Sequence, residues 1–252
     1  MIVLKSDEEI DAMRPAGKLA WELLNMVEEM IRPGISTQDI NDAVHKMTLK
    51  NGGRSAPLNY HGFPKSVCTS VNHVVCHGIP SKAQKLKEGD IINVDVTPIV
   101  NGYHGDSSRT FFVGDKVSDV ARHLTECSKK CLELGISVVR DGCRIGDIGH
   151  VIEEYAHSQG FSVVRDFVGH GIGKEFHEDP QIPHYGKKGR GERLTKGVVF
   201  TIEPMINQKD WRCKVLKDDW TAVTMDGGLS AQFEHTLAIR SNGEVEILTL
   251  PQ

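Results

Sequence analysis

The chain has 252 residues, 39% hydrophobic and 25% charged, with a formal net charge of −4. That is ordinary for a globular protein, and it offers no overall attraction to nucleic acid or to an anionic membrane. The start, Met1-Ile2-Val3-Leu4-Lys5-Ser6-Asp7, lacks the basic and apolar regions of a signal peptide, and no apolar run is long enough to span a bilayer. The six cysteines (Cys68, Cys76, Cys127, Cys131, Cys143 and Cys213) form no CxxC pair and read as reduced thiols, so a cytoplasmic protein is expected and zinc held by cysteine is not. Lys187-Lys188-Gly189-Arg190 reads as a solvated loop, not a nucleic-acid patch.

In chain order, Ser6-Asp7-Glu8-Glu9 is a capping box that opens a helix to about Ile31, with Ile10, Met13, Leu19, Leu23 and Val27 on its apolar stripe. Arg32-Pro33-Gly34 stops it. Ser36 caps a second helix, with Ile35 and Ile40 placed for a hydrophobic staple, and Asn51-Gly52-Gly53 ends that one. Residues 54–80 read as loop and strand, with Val71–Cys76 extended. Asp90–Val113 reads as a hairpin around Asn101-Gly102, the strongest short hairpin signal. Helices recur at about 118–139 and 145–159, and strands follow at Ser162–Val168, Val198–Pro204 and Leu237–Leu248. Helices then strands, twice over, predict an α+β fold with a mostly antiparallel central sheet.

A repeat underlies this order. Leu86, Gly89 and Asp95 recur as Leu194, Gly197 and Glu203, an offset of 108 residues. Arg32 and Gly34 recur as Arg140 and Gly142, Asp39-Ile40 as Asp147-Ile148, and Gly52 as Gly160, all at the same offset. The unit is longer than those of repeat arrays. It predicts one domain, residues 1–252, built of two halves, about 1–113 and 114–252, paired about a pseudo-twofold axis. Asp95 and Glu203 then face each other across that axis.

The hairpin supplies the next acid. A two-residue turn sets Val100 opposite Tyr103 and so Asp95 opposite Ser108; Asp106, two residues away, shares the face of Asp95. Glu234 reads as the counterpart of Asp106, displaced by an insertion of 20 residues that holds Trp211 and Trp220. His170, between Gly169 and Gly171, has no counterpart in the first half. Four carboxylates and one imidazole are too many acids for a single zinc and suit two divalent ions. The bland readings are a structural salt bridge for Asp95, a turn cap for Asp106, a strand-end surface acid for Glu203 and a loop histidine for His170. His77 and His177 read equally as site residues or as loop histidines.

Lys65-Ser66-Val67-Cys68, Val75-Cys76-His77-Gly78-Ile79-Pro80, His104-Gly105-Asp106, Gly169-His170-Gly171-Ile172-Gly173, Phe176-His177-Glu178, Phe200-Thr201-Ile202-Glu203-Pro204 and Ser230-Ala231-Gln232-Phe233-Glu234-His235-Thr236 together resemble type I methionine aminopeptidases, over residues 3 to 250. The chain looks like the short bacterial or organellar form. The resemblance implies the pita-bread fold and removal of the initiator methionine from nascent proteins and peptides, preferentially before a small second residue. It implies metal ligation by Asp95, Asp106, His170, Glu203 and Glu234, with Asp106 and Glu234 bridging two ions and a water between them as attacking group. The ions would be Mn, Fe(II) or Co, with Zn admissible. Glu203 would act as general base, His177 would bind the substrate carbonyl, and His77 would orient the scissile nitrogen.

Tyr60, Phe63, Cys68, Phe176 and Trp220 would line the methionine pocket, against a plain core-packing reading for each. Pro57 stands where a cysteine is often found, and Phe63 where a tyrosine is frequent. Carbonyls near Asn72, Val74 and Ser230 would hold a monovalent cation, Na or K. A monomer, acting near the ribosomal exit on methionyl peptides and with no nucleic-acid substrate, completes the implied picture. The competing readings are a prolidase, a non-catalytic binding protein and a metal-free creatinase-like hydrolase. The first usually carries an extra N-terminal domain. The other two would lack the complete ligand set.

Overall fold

The computed structural model describes residues 1–251. Helix α1 (Asp7–Met30) starts at the expected capping box: Glu9 N donates to Ser6 Oγ at 3.3 Å, and Ser6 N to the Glu9 carboxylate at 3.1 Å. These bonds satisfy amide groups that a helix start otherwise leaves open. The helix runs through Pro15, and its buried face includes Ile10, Met13, Leu19, Leu23 and Val27. Helix α2 (Thr37–Lys50) is capped by Ser36 and by the Asp39 carboxylate, which accepts from Ser36 N at 2.9 Å. In the second half, α3 (Asp119–Ser137) and α4 (Ile145–Ser158) repeat the pair. Asp147 accepts from Arg144 N at 2.9 Å, as its counterpart Asp39 does from Ser36.

Seven strands position the site. They are β1 (Cys68–Val71), β2 (Ile91–Val96), β3 (Ser107–Phe112), β4 (Gly169–Gly171), β5 (Glu178–Ile182), β6 (Val199–Ile202) and β7 (His235–Ile239). They form two antiparallel ladders, β1-β2-β3 in the first half and β5-β4-β6-β7 in the second, where the strand Val245–Ile247 adds an edge. The hairpin register is the expected one: Asp95 pairs with Ser108, and Val100 with Tyr103. Each half has its own core. Leu19, Leu23, Ile40, Ile92 and Val94 pack in the first, and Leu124, Ile148, Ile152, Phe200 and Leu237 in the second.

Two apolar clusters bridge the halves, Ile10 and Met13 with Val199 and Ala238, and Val75 and Cys76 with Met205 and Ala222, whereas beside the acids the seam is polar. Glu234 N donates to Ser108 O at 3.0 Å, and Asp106 N to Thr236 Oγ1 at 3.1 Å. The two donors are counterparts, but Glu234 N bonds a main-chain carbonyl and Asp106 N a side-chain hydroxyl. Asn93 Nδ2 and Thr110 Oγ1 both donate to Gln232 O, at 2.9 and 2.8 Å. Nearby, Met205 pairs with Gln232 and Ile202 with His235, so Glu203 lies level with Glu234, whereas Asp95 lies level with Ser108 and not with Asp106. The second ladder is therefore slipped by two residues relative to the first. An even slip leaves every side chain on its original face, so the acids still point the same way.

Three expected strands are corrected. Ser162–Val168 is strand only over Ser162–Val163; the chain turns at the exposed Arg165-Asp166, where Arg165 reaches back to Glu153 at 3.1 Å. Leu237–Leu248 is a hairpin of two strands, His235–Ile239 and Val245–Ile247, because Gly243 turns at φ 87°. Val71–Cys76 is broken at Asn72, φ 54°, between β1 and the strand Val74–Cys76.

Helix α1 and the Asp106 hairpin meet backbone to backbone. A Cβ added at Gly105 would lie 2.4 Å from Ala16 C and Gly17 N. Overpacking against side chains costs about 1–3 kcal/mol, and backbone yields less readily than a side chain. Gly105→Ala is expected to lower the urea midpoint by at least that equivalent, with an unchanged slope. A midpoint equal to that of the parent protein would show that the helix moves away freely.

Candidate metal centre

The acids converge where the two ladders meet. One oxygen or nitrogen from each of Asp106, His170 and Glu234 lies within 4.8 Å of the others. His170 Nε2 is 3.6 Å from Asp106 Oδ2 and 3.6 Å from Glu203 Oε1. Asp95 joins through a carboxyl–carboxyl contact with Asp106. Asp106 and Glu234 are 4% and 2% exposed. Among the described residues, no lysine or arginine pairs with any of the four acids. Like charges about 4 Å apart repel by roughly 4 kcal/mol at an effective dielectric near 20, on top of the loss of water around each.

The protonation preferences follow from that crowding. Burial raises Asp95 to about 7, with the Asp106 contact partly opposing. Burial raises Glu203 to about 8; the hydrogen bond from Thr201 opposes this and the charge of Asp95 adds to it. Asp106 and Glu234 are pushed up by burial and then by the neighbouring acids. His170 goes the other way, down to about 4, because burial disfavours its cation. Its Nδ1–H donates to Gly171 O at 2.9 Å, which leaves a bare Nε2 facing the carboxylates. Asp95 Oδ1 is buried with no hydrogen-bond partner. A neutral imidazole nitrogen, an orphaned carboxylate oxygen and three further acids form a donor set that fits divalent cations.

Several supporting residues were not singled out from the sequence. Thr97 Oγ1 donates to Asp106 Oδ1 at 2.7 Å, Thr201 Oγ1 to Glu203 Oε1 at 2.8 Å, and Gln232 Nε2 to Glu203 Oε2 at 3.3 Å. Each lies two residues from an acid on the same strand face (Thr97 from Asp95, Thr201 from Glu203, Gln232 from Glu234), so period-two alternation is the signal that finds them. His184 has no such signal. It is fully buried, and its Nε2 accepts from Glu203 N at 3.0 Å. The glycines around His170 let three chains approach: a Cβ at Gly171 would lie 2.0 Å from Asp179 O, and one at Gly169 2.5 Å from Thr201 O.

A cavity of about 600 Å³ opens onto the acids, lined also by Tyr60, Phe63, Cys68, His77, Phe176, His177 and Trp220. All twelve candidate residues from the sequence thus border one space, and Pro57 borders it too. Phe63 and Trp220 meet edge to face at 5.2 Å, as do Tyr60 and Phe176 at 5.0 Å. Burial holds the Cys68 thiol protonated, so it serves as apolar wall. The Tyr60 hydroxyl is 2.8 Å from His177 Nδ1, and the His177 ring is 4.3 Å from that of His170. His77 sits at φ 56°, in the left-handed region, against Phe167 and Trp220. An imidazole held in that strained conformation is a mark of a functional position. Outside this cavity, Ser230 N donates to Asn72 O at 2.9 Å, which brings the Asn72–Val74 turn to Ser230.

Residues 11–241 match the model of metallopeptidase family M24. The chain is 60% identical over 249 residues to methionine aminopeptidase A of Synechocystis sp., covering 99% of this chain and 98% of that protein. It is 48% identical to methionine aminopeptidase 1A of Arabidopsis thaliana, covering 99% of this chain and 62% of that one. The crystal structure of methionine aminopeptidase from Rickettsia prowazekii superposes with a TM-score of 0.96 at 46% identity, over 99% of this chain and 100% of the other. The prolidase from Pyrococcus furiosus shares the fold, with a TM-score of 0.75 at 23% identity, and this chain spans 66% of it. With nearly its whole length matched at such identity, the chain belongs to metallopeptidase family M24 and, within it, to the methionine aminopeptidases.

Proposed function

We propose that this chain removes the N-terminal methionine from peptides and nascent proteins, with Asp95, Asp106, His170, Glu203 and Glu234 holding two divalent ions. The observation that carries this reading is a buried group of acids with which, among the described residues, no lysine or arginine pairs, opening into an aromatic-walled cavity. When bound, the ions supply Lewis-acid polarisation and a nucleophile active at neutral pH. The donor set, oxygen-rich with one imidazole, suits Mn, Fe(II) or Co and admits Zn. The Asn72–Val74 turn and Ser230 offer carbonyls for Na or K. The whole chain acts as one catalytic domain, its halves (about 1–113 and 114–252) meeting at the acids.

The chain's own groups then divide the work. Glu203 takes a proton from the attacking water and returns it to the leaving amine. Thr201 and Gln232 hold its two oxygens. The Tyr60 hydroxyl donates to His177 Nδ1, which leaves the His177 proton on Nε2 for the substrate carbonyl oxygen as charge develops there. His77 orients the scissile nitrogen. Tyr60, Phe63, Cys68, Phe176 and Trp220 surround the methionine side chain, whose sulfur gains from ring contacts. A small second residue is preferred. By resemblance the enzyme is a cytoplasmic monomer working near the ribosomal exit; no helix is long and apolar enough to cross a membrane.

The reading is tested on chelated protein titrated with Mn, Co, Fe(II) or Zn, offered Met-Ala-Ser and Leu-Pro peptides. Metal-dependent release of methionine alone is expected, and no release from folded, loaded protein would reject it. Asp106→Ala is expected to lower the rate by more than about 100-fold, beyond the usual loss when a residue merely supporting a ligand is removed.

Metal removal also has a signature in stability. The folded values of Asp95 and Glu203, about 7 and about 8, lie above those of an unfolded chain. Folding therefore takes up protons, and the chelated protein gains stability as pH falls through that window. Below about 6.5, the ordinary histidine value, the buried neutral His170 and His184 oppose the gain. Urea midpoints of chelated protein are expected to rise from pH 8.5 to about 6.5. Bound metal, which keeps the acids ionised, is expected to remove or invert that trend; identical trends with and without metal would mean the acids are not the ligands.

A further inference from the structure

One buried ion pair lies outside the metal centre. Lys5, in the extended segment before α1, places its ammonium on the Glu178 carboxylate, and the two side chains are 4% and 8% exposed. Lys5 Nζ also donates to Val3 O at 3.0 Å, and Lys5 N to Gly197 O at 2.7 Å, so both main chain and side chain are pinned. Glu178 follows His177 directly and borders the cavity. Its Oε1 accepts from Glu175 N at 3.3 Å, and Gly173 N donates to Glu175 O at 3.2 Å. The carboxylate thus closes a short loop, residues 173–178, and Lys5 grips that carboxylate from outside. Gly173 is where Lys5 gains entry: a Cβ there would lie 2.7 Å from Lys5 Cε and 2.8 Å from Glu178 Oε1.

The loop carries Phe176 and His177. At its start, Gly173 O accepts from both His104 N and His104 Nδ1 at 3.0 Å, and the His104 ring stacks on Phe176 at 5.6 Å. At its end Glu178 opens β5 opposite Gly171, and its carboxylate with the Lys5 ammonium secures the loop from behind. A buried ion pair seldom repays its desolvation in stability, and a well-packed apolar pair would serve that purpose as well. What the charged pair adds is a directional fixture.

We infer that Lys5 is a positioning residue for the peptidase reaction: through Glu178 it fixes the loop that sets His177 beside His170 and Tyr60. This rests on the reading above that His177 meets the substrate carbonyl.

The experiment compares Lys5→Met, Lys5→Arg and the double variant Lys5→Met/Glu178→Gln with the parent, Mn-loaded, on Met-Ala-Ser. The double variant leaves no unpaired charge inside and guards against simple failure to fold. Melting temperature and metal content are recorded for each. Lys5→Met and the double variant are expected to lose about 10- to 100-fold in kcat with little change in KM, as a misplaced transition-state donor does. Lys5→Arg is expected to restore most of it. Amide hydrogen exchange on the same proteins is expected to quicken over residues 173–178 and stay unchanged over Ile91–Val96. Full activity in Lys5→Met, or exchange that quickens everywhere or nowhere, overturns the inference alone. A parent protein that releases no methionine overturns the peptidase reading and the inference with it.

Discussion

Four acidic side chains and an imidazole converge in one buried space with, among the described residues, no lysine or arginine paired to any of the acids, and much of the site answers to that electrostatic deficit. Left to themselves the acids repel, and burial pushes each toward its neutral form. Hydrogen bonds from Thr97, Thr201 and Gln232 orient single oxygens but supply no positive charge. Without metal the acids are relieved by taking up protons; in the proposed function bound cations take that place.

Each half has a large apolar core of its own, two smaller apolar clusters bridge the halves, and the contacts beside the acids are polar. Across the axis the Thr236 hydroxyl accepts from Asp106 N and donates to Asp106 O, and Glu234 N donates to Ser108 O. The inward faces of the ladders are thereby left free to carry acids. The two-residue slip of the second ladder shows how much freedom the duplicated frame allows: strand parity is strict, register is not. The insertion around Trp211 and Trp220 was accommodated in the same way. Its strand Ala222–Thr224 pairs with Val74–Cys76 of the first half, and so carries Trp220 to Phe63 and His77.

The residues proposed to recognise substrate sit largely on loops tied down at both ends. His104 and Glu178 hold the loop of Phe176 and His177, and a left-handed backbone aims His77. Loops of this kind carry chemistry well because their backbones need not obey a ladder. They also explain why the aromatic wall mixes residues from far-apart segments: Tyr60 and Phe176 are brought within 5.0 Å of each other.

Much of this was legible in the chain itself. The offset of 108 residues linked Asp95 to Glu203, and the turn at Asn101-Gly102 fixed Asp95 opposite Ser108, because turn length and strand period together leave one register. Capping residues marked the helices for an equally local reason. The neighbours Thr97, Thr201 and Gln232 were within reach of the same alternation. What the tertiary structure alone decided are contacts without local cause. His184 reaches the Glu203 amide from a segment with no periodic signal, and Lys5 reaches Glu178 across 173 residues. Sequence period records the geometry of one element, whereas the meeting of elements depends on how whole surfaces pack, and single residues such as these leave no mark of it in the pattern.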